Sequence, residues 1–301
     1  MYVVTGASGH TGSVVASRLL AAGKKVRALT RDEHRIAGLI KQGAEACKVD
    51  LLDADAVATA CDGAEAIYAM IPPHIQAEDV SAYQQQVSES LASAIEKAGV
   101  THAVALSSVG ADKPDKTGPV VGLHKFEERL SRIDWLNALF LRPGYFMENL
   151  LPQTRVIQDF GMMAGPLHAD LPIAMIATKD IGAAAAERLV RLDFKGKETR
   201  ELLGPRDVTY AEVAKIVGSA IGRSGLTYVQ LPKQQMMEAL TTMGFSASMV
   251  RAILEMAEAM NNGYMRPLEA RSPQNTTPTT LEEWTEEVFV PAFKGRATAA
   301  R

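Results

Sequence analysis

One segment constrains this chain more than any other: Thr5-Gly6-Ala7-Ser8-Gly9-His10-Thr11-Gly12. An apolar, strand-like run at 2–5 precedes it and an amphipathic run at 12–22 follows it. That is the strand–loop–helix setting a dinucleotide-binding turn requires. In such a turn Gly6 permits the tight bend, Gly9 lets the backbone approach a pyrophosphate, and Gly12 lets the helix pack on the sheet. The helix start adds free N–H groups and a partial positive charge. The spacing is Gly-x-x-Gly-x-x-Gly, and Ser8, His10 and Thr11 complete the expected phosphate cradle, His10 through its backbone.

The rest of the first half alternates short apolar runs with longer amphipathic ones. Strands are expected at 25–30, 46–49, 66–71, 102–107 and 139–142, and helices at 33–42, 54–60, 82–98 and 125–132. Gly23, Gly43 and Gly99 close three of the helices. Strand–helix alternation of this kind predicts an α/β fold, a doubly wound (Rossmann) parallel sheet. In the second half, helices are expected at 180–191, 210–221, 233–243, 247–261 and 280–290, with short strands at 201–203 and 226–231. Thr280 with Glu283 has the spacing of a capping box. The expected organisation is a dinucleotide-binding core at 1–150, with 176–206 returning to it. A mainly helical lobe spans 151–175 and 207–293, and a frayed tail spans 294–301. Ten of the 13 methionines lie after residue 150, which fits either helix packing or a deformable apolar pocket.

Composition removes several function classes. Lys plus Arg is 32 against 35 for Asp plus Glu, a net charge of −3, so no global field holds nucleic acid or an anionic membrane. Only Cys47 and Cys61 occur, which excludes a disulfide framework and fits a reducing compartment. The six histidines make no metal-ligand spacing. No leader pattern or membrane-length apolar stretch is present, so the expected location is cytoplasmic.

Arg31 ends the second strand run, where a ribose 2′-phosphate meets Arg and a free 2′-OH meets an acid. Arg31 therefore favours NADP(H), while Asp32 beside it keeps NAD(H) open. Asp50 and Leu51 follow the third strand, near the adenine, with a turn cap as the other role for Asp50.

Together, Gly6/Gly9/Gly12, Arg31, Pro72-Pro73, Ser107-Ser108, the run Leu141-Arg142-Pro143-Gly144-Tyr145-Phe146-Met147-Glu148-Asn149, and Asp180-Ile181-Gly182 before an Ala-rich helix resemble the NmrA-like group of atypical short-chain dehydrogenases/reductases. The resemblance runs from residue 1 to about 290. It implies an NADP-binding doubly wound sheet whose small C-terminal lobe covers the nicotinamide. It adds Ile71, Pro72, Ser107, Lys125, Pro143 and Tyr145 to the expected cofactor contacts. Members divide into reductases of quinones, dyes or related electrophiles and sensors that bind the cofactor without turnover.

Active short-chain reductases place Ser, then Tyr-x-x-x-Lys, beside the nicotinamide. Here Ser108 and Lys125 hold two of those positions, but Val121 stands at the Tyr position. His124 and Tyr145 are the other candidates for catalysis, His124 as a proton donor and Tyr145 as a cleft residue or core packing. His74 is expected on a mobile loop. Glu127 and Glu128 are expected to face solvent or to pair with Arg129 or Arg132 on their own helix. Without the tyrosine, the first functional expectation is an NADPH-dependent reductase of a quinone-like or dye-like electrophile. The alternatives are a redox sensor acting through a protein partner, and an isomerase or epimerase with a tightly held cofactor. A homodimer is a further expectation.

Overall fold

The computed structural model describes residues 1–295. The chain runs β1 (Tyr2–Val4), α1 (His10–Ala21), β2 (Val26–Thr30), α2 (Ala37–Lys41), β3 (Glu45–Lys48), α3 (Ala54–Ala60), β4 (Ala66–Ala69), α4 (Val80–Ala98), β5 (His102–Leu106), α5 (Val120–Ser131) and β6 (Asn137–Pro143). It continues through β7 (Tyr145–Phe146), α6 (Gln153–Phe160), β8 (Met163–Gly165), β9 (Ile173–Ile176), α7 (Thr178–Arg191), β10 (Lys197–Leu202), β11 (Asp207–Val208), α8 (Tyr210–Ala220), β12 (Tyr228–Gln230), α9 (Lys233–Thr242), α10 (Ala247–Asn261), α11 (Leu281–Trp284) and α12 (Val290–Phe293).

Seven strands form one sheet in the order β10-β6-β5-β4-β1-β2-β3, and every pair in it is parallel. The inner strands β1 and β4 are buried along their whole length, as expected of strands covered on both faces. Val3 and Ile67 point into one helical layer. Tyr2, Val4, Ala66 and Tyr68 point into the other. The strand order reverses between β1 and β4, which places a crevice at their carboxyl ends.

α7 packs on α1, and β10 extends the main sheet beyond β6. The α1–α7 approach needs Gly182, because a Cβ there would stand 2.7 Å from the Val14 Cβ and 2.8 Å from the Thr11 carbonyl oxygen. The remaining elements gather around a third core containing Trp284, Phe289, Ile157, Val213 and Val217. A three-stranded sheet, β11-β9-β7, and the pair β12-β8 belong to this part. Glu148 ties it to α7: its carboxylate accepts the Thr178 N–H, at 3.1 Å to Oε2, and the Trp284 Nε1–H at 3.1 Å.

Several sequence expectations need correction. The helix expected at 125–132 begins at Val120, so Val121, His124 and Lys125 all lie inside it. The helix expected at 33–42 splits into a 3-10 turn, Glu33–Ile36, and α2. The helix expected at 280–290 is α11, opened by the Thr280–Glu283 capping box, and then a π-helical turn over Thr285–Phe289. The short strand at 201–203 is the end of the six-residue β10. Of the tail, residues 296–301 lie outside the described residues. No helix among the described residues is long and apolar enough to cross a membrane.

Candidate functional site

The crevice between the tips of β1 and β4 is built by Thr5. Its Oγ1 donates to the Tyr68 carbonyl at 3.1 Å and accepts the Met70 N–H at 2.9 Å. Gly6 follows in the left-handed region, with φ of 61°. The Gly9 N–H closes the turn onto the Gly6 carbonyl at 2.8 Å. α1 then starts with Gly9 as its N-cap and no side-chain cap. Among the described residues no protein acceptor takes the N–H groups of Ala7, Ser8, His10, Thr11 or Gly12. Donors left together at a helix start form an anion site.

The three glycines have separable reasons. A Cβ at Gly12 would stand 2.3 Å from the Gly6 carbonyl oxygen, and one at Gly6 would meet the Met70 Sδ at 2.6 Å. Gly12 is therefore required by the loop itself, a closer constraint than helix–sheet packing. A Cβ at Gly9 would meet only the Gly6 carbonyl oxygen, at 3.2 Å, a tight contact but a milder one than at Gly12 or Gly6. Gly9 and His10 are exposed, and Ser8 is half-buried. The Thr11 side chain turns inward and accepts the Tyr68 hydroxyl at 2.9 Å, which leaves its N–H for a ligand. Burial raises the Tyr68 phenol well above its ordinary pKa, and the Thr11 hydrogen bond only partly opposes this.

At the end of β2, Arg31 is exposed. The Asp32 carboxylate is committed locally, accepting the His34 N–H at 3.0 Å to cap the 3-10 turn. Asp50 caps its own turn, accepting the Leu52 N–H at 3.0 Å, and Leu51 is half-buried beside it. Sequence reasoning missed Tyr83 on α4. Burial raises its phenol, the Arg31 charge lowers it and the Asp50 charge raises it, so it lies within reach of both charges. The His74 ring packs against Tyr83 with centroids 5.0 Å apart, which gives this loop residue a fixed neighbour. Ile71 is buried and Pro72 half-buried. An aromatic in the first turn of the helix after Pro72-Pro73 was the available signal for Tyr83.

The β5, α5 and β6 ends form the other half. Ser107 is buried and its hydroxyl donates to Glu127 Oε1 at 2.5 Å. Arg142 donates to the same carboxylate, Nε at 2.9 Å and Nη2 at 2.5 Å. Glu127 is thus a buried partner of β5 and β6, contrary to the expectation of solvent or an intrahelical pair. Arg129 reaches instead to Glu89 and Glu96 on α4. Ser108 donates to the Val109 carbonyl at 2.9 Å, Pro143 is buried and Lys125 is exposed. The His124 Nδ1 bonds the Ala111 carbonyl at 2.8 Å, and its Nε2 lies 3.6 Å from Glu128. Both ring nitrogens face protein groups.

The Tyr145 hydroxyl pairs with that of Tyr210 at 3.0 Å. Tyr210 stacks on Tyr228, with centroids 4.4 Å apart, and the Tyr228 hydroxyl donates to the Leu167 carbonyl at 2.9 Å. Burial pushes the Tyr145 phenol up. This side chain is engaged with the lobe core, the packing role that sequence reasoning left open. The loop between β5 and α5 is also clamped from the lobe side. Tyr264 donates to Asp115 at 3.1 Å, and Glu255 accepts the Gly118 N–H at 3.2 Å. Met265 lies against Gly110, where a Cβ would stand 2.6 Å from its Cγ.

A cavity of about 500 Å³ opens in the lobe, with Leu231, Leu254 and Ala257 on its apolar side and His168, Lys233 and Glu258 among its polar groups. It contains no methionine. Of the ten methionines after residue 150, Met163 and Met175 are buried in the lobe core. Among the described residues no cluster of His, Cys, Asp or Glu could hold a metal ion.

A family model described as the NmrA-like family matches residues 2–285. An NAD(P)H azoreductase of Xenophilus azovorans is 29% identical over 258 residues, 85% of this chain and 86% of that protein. The structure of an NADPH-dependent quinone oxidoreductase from Escherichia coli, complexed with NADPH, superposes with a TM-score of 0.81 at 22% identity, covering 96% of this chain and 100% of that one. A triphenylmethane reductase from Citrobacter sp., complexed with NADP(H), gives 0.77 at 18% identity, covering 98% and 99%. At these identities the two structures establish the fold.

Proposed function

The chain belongs to the NmrA-like family, and from that premise we propose that it is an NADPH-dependent reductase of flat, conjugated acceptors such as quinones and dyes. The observation that carries this reading is the set of N–H groups of Ala7, Ser8, His10, Thr11 and Gly12, unpartnered among the described residues, at the point where the strand order reverses. A dinucleotide pyrophosphate satisfies them. Arg31 supplies charge for a 2′-phosphate, while Asp32 is engaged in capping the 3-10 turn. Tyr83 and Leu51 offer apolar surface to the adenine. When bound, the cofactor supplies a hydride; orientation and the exclusion of water are the protein's part.

The acceptor class follows from the proton. Reduction of a simple ketone builds a strongly basic alkoxide, and a positioned acid contributes about 10²–10⁴-fold there. Val121 has no proton to give, the His124 nitrogens face Ala111 and Glu128, and the Tyr145 hydroxyl is held by Tyr210. A quinone, azo or cationic dye acceptor delocalises the incoming electrons, so protonation can follow from water. Lys125 adds positive potential at this end. Relatives named for azo, quinone and triphenylmethane reduction support the same class.

An NADPH-oxidation panel tests the reading. Turnover is expected with quinones, azo dyes and triphenylmethane dyes, and very little with unactivated ketones. NADPH binding without oxidation across the panel favours the sensor instead.

A further inference from the structure

Glu127 is a buried carboxylate for which cofactor binding alone gives no reason. It lies two residues after Lys125 on α5 and faces the sheet, where it binds Ser107 and, through two bonds, Arg142. Its partners stand beside other candidate residues of the nicotinamide end: Ser107 precedes Ser108, and Arg142 precedes Pro143. One side chain therefore joins three separate segments that reach the same edge of the sheet.

Arg142 also feels charges beyond Glu127. Burial lowers the guanidinium pKa, but the bonds and charge of Glu127, with the charges of Asp112 and Glu201, outweigh this and raise it. Glu201 stands opposite Arg142 in the β10–β6 register. Its carboxylate accepts the N–H groups of Leu268, at 2.9 Å, and Glu269, at 2.8 Å. The strap that carries Met265 against Gly110 is thus anchored to Glu201, the neighbour of Arg142 across the sheet.

A buried ion pair is poor evidence of stabilisation, since apolar replacements of similar volume are often as stable or more so. A forked pair does fix orientation, because both guanidinium–carboxylate bonds must align at once. We propose that Glu127 is a positioning residue: through Ser107 and Arg142 it sets the place of Lys125 relative to the β5 and β6 tips, and so the fit of the nicotinamide half of the cofactor. This rests on the reading that the crevice takes NADPH.

The test compares calorimetric affinities for NADPH and for 2′,5′-ADP, which lacks the nicotinamide half. The proteins are the parent, Glu127→Gln, and the double variant Glu127→Leu/Arg142→Met, with thermal stability measured alongside. The Gln variant is expected to keep its 2′,5′-ADP affinity and to lose about tenfold in NADPH affinity, the scale of one hydrogen bond to a charged group. The double variant, with neither charge left buried alone, is expected to recover stability but not NADPH affinity. Parent-like NADPH affinity in either variant overturns the proposal, as does an equal loss for both ligands. If the Gln variant does not fold, the double variant decides alone. A parent that binds 2′,5′-ADP and NADPH equally has no nicotinamide site to position, which overturns the proposal while leaving the adenosine half of the crevice intact. A parent that binds neither overturns the cofactor reading itself.

Discussion

The Thr5 hydroxyl and the Met70 N–H meet at 2.9 Å across the tips of β1 and β4, and this contact defines both walls of the crevice. Thr5→Val keeps the shape of the side chain and leaves the Met70 N–H without its partner. The expected cost is about 1–3 kcal/mol of stability, the penalty for an unpaired donor that is largely out of water. Urea denaturation checks it. An unchanged midpoint would show that water replaces the hydroxyl at no cost.

Gly9 and Gly12 should fail in different ways. Gly9→Val should leave a folded protein with most of its NADPH affinity gone, because the added Cβ presses only on the Gly6 carbonyl oxygen, at 3.2 Å, while the side chain stands beside the free N–H groups. Gly12→Val drives a Cβ into the Gly6 carbonyl and should cost at least about 1–3 kcal/mol of stability, the scale of overpacking. Calorimetric titration with NADPH and thermal melts separate the two outcomes. Full affinity in the Gly9 variant would remove the anion site from this loop.

The phosphate loop and the strand–helix alternation were legible because their signals are local: glycine spacing, period and helix ends. Helices 54–60 and 247–261 match α3 and α10 for that reason. The start of α5 was missed because Val120, Val121 and Gly122 are weak helix formers, held here by packing; Gly122 lies so close to Gln84 of α4 that a Cβ would stand 2.2 Å from its Oε1. β7, β8, β9 and β11 span two to four residues each, too few to show a period. Glu127 was misplaced because intrahelical spacing cannot reveal partners 15 and 20 residues away. Tyr83 owes its place within reach of the Arg31 and Asp50 charges to the crossover of α4, a feature of topology.

Arg31 should set the cofactor preference. A paired, charge-assisted contact with the 2′-phosphate is worth roughly 1.5–3 kcal/mol, or about 10- to 150-fold in affinity. NADP(H) is expected to bind more tightly than NAD(H) by that order, and Arg31→Ala to remove most of the difference. Equal affinities in the unaltered protein would make Arg31 an ordinary surface charge.

Gly182 should report on the α1–α7 contact. Gly182→Val pushes atoms into Val14 and the Thr11 carbonyl, with an expected loss of about 1–3 kcal/mol. A chemical-denaturation curve like that of the parent would mean that the two helices separate freely.

Hydride transfer itself can be followed by label. NADPH deuterated at the transferable carbon of its nicotinamide ring, on each face in turn, is incubated with the protein and a triphenylmethane dye. The central carbon of the reduced dye retains what it receives, because that C–H bond does not exchange with water. One of the two labelled cofactors is expected to deliver one deuterium to that carbon for each NADPH consumed. No NADPH oxidation, or decolorisation with neither label in the product, would contradict the assignment of a reductase.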